Sequence, residues 1–118
     1  MIVVSDTTPL ISLLKINQLD LLEKLFGEVL IPEAVFNELT VDERFQLEAK
    51  VIRQKEFIAV KPVNNLESVS ILKRATGLDQ GESEAIVLTD ELKADLLLMD
   101  EAKVRNVSVQ MDLELWES

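Results

Sequence analysis

The hydrophobic positions of this 118-residue chain fall into short aliphatic runs separated by stretches of helical period. Ile2, Val3 and Val4 form the first run, whose β-branching predicts a buried strand. Asp6 follows it, then Thr7, Thr8 and Pro9; Pro9 suits the first position of a helix, with Thr8 as its N-cap. Leu10, Leu13 and Leu14 give that helix an apolar face. A second helical pattern covers residues 18–26 and stops at Gly27, a usual C-terminal signal. Residues 29–31 predict a short strand, and Pro32 opens a helix reaching Leu39, with Val35, Phe36 and Leu39 apolar.

Residues 43–55 are charged and helical in period. The run from Phe57 to Val63 predicts an edge strand or arm, because Pro62 would interrupt central pairing. Asn64 and Asn65 make a turn before a helix over residues 66–75, closed by Gly77. Asp79 opens the next helix, which reaches Lys93. Leu96 to Met99 is an aliphatic strand running into Asp100 and Glu101. A helix near Lys103 to Met111 and a strand from Leu113 to Trp116 finish the pattern.

Strands alternating with helices of this length imply a parallel sheet with helical crossovers, an α/β fold. Parallel strands end on one edge of their sheet, and open α/β sheets bind ligands outside that edge. Asp6 and Asp100 both follow aliphatic strands, so both are expected there. Glu82 heads a stripe with Ala85, Ile86 and Thr89, the inward face of its helix. Glu38 shares a stripe with Val35 and Leu39, and a charge on a core-facing stripe needs a partner.

Each acid also has a purely structural reading. Asp6 serves equally well as a turn residue before the helix. Asp79 and Glu82 have capping-box spacing, and for Glu82 alone capping is the stronger reading. Asp100 and Glu101 suit a helix start, complementing its dipole. Glu38 lies near the end of its helix, where it can bend outward to water. Their joint placement is what favours a shared site.

Composition narrows the chemistry. The length suits one domain, and no apolar run approaches the roughly 18 residues of a membrane span. The start lacks the basic flank and cleavage site of a secretory signal, so a cytoplasmic protein is expected. With no Cys and no His, thiolate chemistry and a Ser–His–Asp triad are excluded. Any catalysis must rest on carboxylates, alone or with a hard cation such as Mg²⁺ or Mn²⁺. The net charge of −10 weighs against nucleic acid as a partner, but acids holding a divalent metal offer phosphate a locally positive site.

The segments SDTTPLI, IPEAVFNEL, GLDQGESEAI and ADLLLMDE, in this order and spacing, resemble the PIN domain over nearly the whole chain. More narrowly they resemble an uncharacterised prokaryotic subfamily related to VapC-type toxins. The resemblance implies a Rossmann-like three-layer α/β/α domain spanning residues 1–118. It also implies a Mg²⁺- or Mn²⁺-dependent ribonuclease whose four acids fall on Asp6, Glu38, Glu82 and Asp100. Many relatives have Asp where this chain has Glu82, and Asp79 belongs to the subfamily's LDxGE pattern as an assisting or extra ligand.

Two departures stand out: Asp112 replaces the family's usual Gly, and the sequence ends at Ser118 where relatives commonly continue into a helix. Without that helix part of one sheet face would lie open, which favours a homodimer, exchange of elements between protomers, or poor stability. The expected partners are RNA and a small antitoxin, with no membrane.

In such an enzyme Lys103 and Arg105 are open to two readings, phosphate contacts or a solvated helix face. Rival folds fit less well. A receiver domain needs an acidic pair after its first strand and a Lys after its last, and a DxDxT phosphotransferase needs Asp where Thr8 stands. With three Gly, the chain has no Gly-rich phosphate loop. The strongest non-enzyme alternative is a catalytically silent PIN-like module that binds a protein partner or oligomerises.

Overall fold

The computed structural model describes residues 1–100. Four short strands form one sheet: β1 (Val3–Ser5), β2 (Val29–Pro32), β3 (Ile58–Lys61) and β4 (Leu96–Leu98). The order across the sheet is β3-β2-β1-β4, and every pairing is parallel. Six helices connect and cover them: α1 (Thr7–Lys15), α2 (Leu21–Phe26), α3 (Glu33–Val41), α4 (Gln46–Arg53), α5 (Leu66–Thr76) and α6 (Gln80–Leu92). The α/β architecture implied by the alternating pattern is therefore present.

Strand periodicity sorts the sheet's side chains into two cores. Val3, Val29 and Ile31 face one way, packing with Leu10 and Ile11 of α1, Leu22 of α2, and Ala49 and Ile52 of α4. Val4 and Leu30 face the other way, packing with Val69 of α5 and Ala85, Val87 and Leu88 of α6. Helices thus cover both faces, giving three layers. Val35 and Leu39 bring α3 into the first core, while the same helix packs along α6.

The order of the strands creates the site. From β1 to β3 the chain steps outward, then returns to place β4 on the other side of β1. The reversal falls between β1 and β4, where crossovers diverge and a crevice opens beyond the strand ends. The register there is continuous, with Val3, Val4 and Ser5 opposite Leu96, Leu97 and Leu98. The Asp6 N–H extends the ladder by donating to the Leu98 carbonyl at 2.9 Å.

Several boundaries differ from the sequence reading. Asp6, not Thr8, occupies the N-cap position of α1, because the strand's extended backbone persists through Asp6 and the helix begins at Thr7. Pro9 becomes the third helical residue, a position where its missing N–H costs no intrahelical hydrogen bond. Pro32 is both the last residue of β2 and the N-cap of α3. Residues 18–20 are turns that lead into α2. The charged stretch splits into a 3₁₀ turn at Glu43–Phe45 and then α4.

Other expectations hold. Pairing with β2 alone puts β3 at an edge among the described strands, with Pro62 just past its end. Gly77 ends α5 in the left-handed conformation (φ 73°). Asp79 caps α6. The expected helix near Lys103 and strand from Leu113 lie outside the described residues.

Leu10, fully buried between α1 and the sheet, anchors the helix that follows Asp6. Leu10→Ala should lower the unfolding free energy by roughly 2–5 kcal/mol, measured by urea titration followed by circular dichroism.

Candidate active site

Asp6 owes its position to the end of β1. Ser5 is the strand's last residue, so the next side chain emerges at the carboxyl edge. It is only 3% exposed. Desolvation there raises its pKa from 3.8 to about 6. The adjacent Thr7 N–H opposes the rise, while the charges of Glu82, Asp79 and Glu38 add to it. Each of these charges is another carboxylate. Burial within a field of like charge disfavours ionisation twice over.

Glu38 lies on the second turn of α3, the helix that leaves the end of β2. It is half-buried, and the Thr7 hydroxyl donates to its Oε2 at 3.0 Å. Burial raises its pKa; the Thr7 hydrogen bond opposes this, and Asp79, Glu82 and Asp42 reinforce it. Arg44 is held above its ordinary range chiefly by hydrogen bonding to Asp42, with a weaker pull from Glu38.

Glu82 enters through the first turn of α6. Its Oε1 accepts from the Asp79 N–H at 2.9 Å, and its own N–H donates to Asp79 Oδ1 at 2.8 Å. The capping box expected from the spacing is therefore formed. That role does not remove Glu82 from the cluster, since its charge still acts on Asp6. Asp100 stands two residues beyond β4, exposed, on the strand hydrogen-bonded beside Asp6.

The structure thus brings Asp6, Glu38, Asp79 and Glu82 into one electrostatic neighbourhood and puts Asp100 at the same sheet edge. Among the described residues no three acids converge as a ready-made metal cluster. Glu82 is drawn to its own helix start and Glu38 toward Thr7. The donor chemistry nevertheless fits a hard divalent cation. It consists of carboxylate oxygens, and the Asp6 carboxylate, disfavoured first by burial and then by the charges of Glu82, Asp79 and Glu38, is one that a cation would stabilise.

A cleft of about 560 Å³ opens beside Glu38 and Asp79. Its walls include Glu33 and Glu84 as further acids and Asn37 and Gln80 as amides, with no Lys or Arg among the described residues. Neither Asp6 nor Glu82 lines it. An anionic polymer entering these walls would be repelled without bound cations.

Three contributors escaped the sequence reading. Thr7 hydrogen-bonds Glu38 across 31 positions of sequence, and Gly81 and Glu84 lie on the α6 face turned to α3. No local signal marked Glu84: the run Gly81–Ala85 is buried in the structure but reads as polar in the sequence.

The sign of the pH dependence follows from Asp6. A carboxyl whose pKa is higher in the folded state favours folding below its unfolded value of 3.8. That contribution is lost as pH rises through about 6. The corresponding penalty above that pH is on the order of 3 kcal/mol. In EDTA, Asp6→Asn should match wild-type stability near pH 4 and exceed it increasingly up to pH 7. Urea denaturation across this range measures the difference, and equal stabilities at pH 7 would contradict the assignment.

Residues 2–116 match the model of the family DUF3368, described as a PIN domain. Searches of curated proteins and of solved structures found no significant match. PIN domains are usually metal-dependent nucleases that bind nucleic acid, and they generally use divalent ions. The match spans the described sheet and every carboxylate at its edge, and this chain belongs to the PIN domain family.

Proposed function

We propose that this protein is a ribonuclease that hydrolyses RNA phosphodiester bonds with Mg²⁺ or Mn²⁺. The observation that carries the reading is Asp6: a buried carboxylate with its pKa raised to about 6, surrounded by other acids at the sheet's switch point. Asp6, Glu38, Glu82 and Asp100 would hold the ion, with Asp79 assisting. When bound, such an ion supplies charge neutralisation at phosphate and a water acidified toward neutral pH.

The chain's own residues do the rest. Asp6, 3% exposed, is itself shielded from bulk water on this edge. The Thr7 hydroxyl orients the Glu38 carboxylate by donating to its Oε2, which opposes the upward pull of burial on its pKa. Asp79 and Glu82 hold the start of α6, and through it each other, in fixed register. With its pKa near 6, Asp6 is able to carry a proton in mildly acidic solution and give it up at neutral pH.

Within this reading the protein is the toxin of a toxin–antitoxin pair and works as a homodimer. A net charge of −10 suits a small basic antitoxin as its inhibitor. A second reading, a catalytically silent protein-binding module, draws on the engagement of Glu82 in its own cap and the dispersed acids.

Asp6→Asn should reduce Mn²⁺-dependent cleavage of RNA to the level seen in EDTA while retaining the far-ultraviolet circular dichroism of the wild type. Cleavage at the wild-type rate would sink the ribonuclease assignment. Calorimetric Mn²⁺ titration of wild type and an Asp6→Asn/Asp100→Asn double variant separates the two readings. Binding lost in the double variant supports the enzyme, and binding absent from both supports the silent module.

A further inference from the structure

Helix α3 carries Glu38 but begins without a capping side chain of its own. Pro32 holds the N-cap position and makes no side-chain cap. The early N–H groups of such a helix need acceptors from elsewhere. Glu84, from α6, supplies one: its Oε1 accepts from the Ala34 N–H at 3.2 Å. Its other oxygen accepts from Gln80 Nε2 at 2.7 Å, so the carboxylate is held from two sides. It is buried, 7% exposed. The positive end of α3 compensates a negative charge in this position.

A second contact lies one turn away on both helices. Ala34 and Glu38 are four residues apart on α3, and Gly81 and Glu84 are three apart on α6, so each pair shares a face. A Cβ added at Gly81 would sit 3.1 Å from Glu38 Oε2 and 3.5 Å from Val35 Cγ2. A side chain there would press the Glu38 carboxylate back by a few tenths of an ångström, so the missing Cβ sets how closely it lies against α6. The same Oε2 receives the Thr7 hydrogen bond on its other side. Glu84 therefore sets where α3 lies along α6, and Gly81 sets how closely Glu38 approaches.

We propose that Gly81 and Glu84 are positioning residues for Glu38, acting through this two-point contact between α6 and α3. What Glu38 is positioned to do rests on the ribonuclease reading; that it is positioned does not. The contact explains a buried acid in α6 that neither caps its own helix nor belongs to the expected ligands. It also gives Gly81 a role that its place in a helix, where glycine is unfavourable, does not.

The test has a metal-free and a metal-dependent arm. In EDTA, the side-chain carboxyl ¹³C resonance of Glu38 should move in both Glu84→Ala and Gly81→Ala. It should return toward its wild-type position in Glu84→Gln, whose amide oxygen still accepts from Ala34. With Mn²⁺, Glu84→Ala and Gly81→Ala should each weaken binding roughly ten- to hundredfold. Glu84→Ala combined with Glu38→Gln should bind no more weakly than Glu38→Gln alone, because both act through one group.

A Glu38 resonance unmoved in both single variants overturns the proposal, as do fully additive losses in the combined variant. Should Glu84→Ala fail to fold, Gly81→Ala presses directly on the Glu38 carboxylate without removing a buried cap. Should the wild type bind no Mn²⁺, the ribonuclease reading fails while the resonance still decides the positioning.

Discussion

Parallel pairing on both sides of β1 is the constraint on which the rest of this structure depends. Because β2 and β4 flank β1 in the same direction, their carboxyl ends meet at one edge. The residues that follow them carry the acids: Asp6 after β1, Glu38 on the helix leaving β2, and Asp100 after β4. Reversing any one strand would send its acid to the far edge. The site is thus a property of strand direction before it is a property of any side chain.

Placing that much negative charge at one edge requires compensation, and helix α6 provides part of it through the backbone donors its acids meet. Glu82 satisfies the start of its own helix, Glu84 the start of α3, and Glu91 the Asn64 and Asn65 N–H groups that lead into α5. Each carboxylate meets backbone donors at or near a helix N-terminus, where negative charge is favoured. Part of the −10 charge is therefore structural. A net acidic sequence need not be a poor partner for nucleic acid if its acids are neutralised by bound cations.

Asp6 differs from those acids. Although it occupies the N-cap position of α1, its side chain makes no cap hydrogen bond. It is buried by the strand that precedes it, and its neighbours are carboxylates. A group in that situation destabilises the folded chain at neutral pH, and folded proteins retain such groups at functional sites more often than elsewhere. Glu84 is satisfied by two donors and Asp6 is raised toward pH 6, so the two buried acids differ in what compensates them.

The sequence by itself determined the alternation of strands and helices, the placement of Asp6 and Asp100 at strand ends, and the capping box of α6. Those features depend on local periodicity and on residues within a few positions of one another. It misjudged where α1 begins, because Thr8 and Pro9 look like a start signal while the extended backbone in fact runs through Asp6. Strand order, the hydrogen bond from Thr7 to Glu38, and the approach of Glu84 to Ala34 across 50 positions were decided only in the tertiary structure. Such contacts have no local signature. They exist because two helices from distant parts of the chain pack on one sheet, and packing distance, unlike periodicity, cannot be read along a sequence.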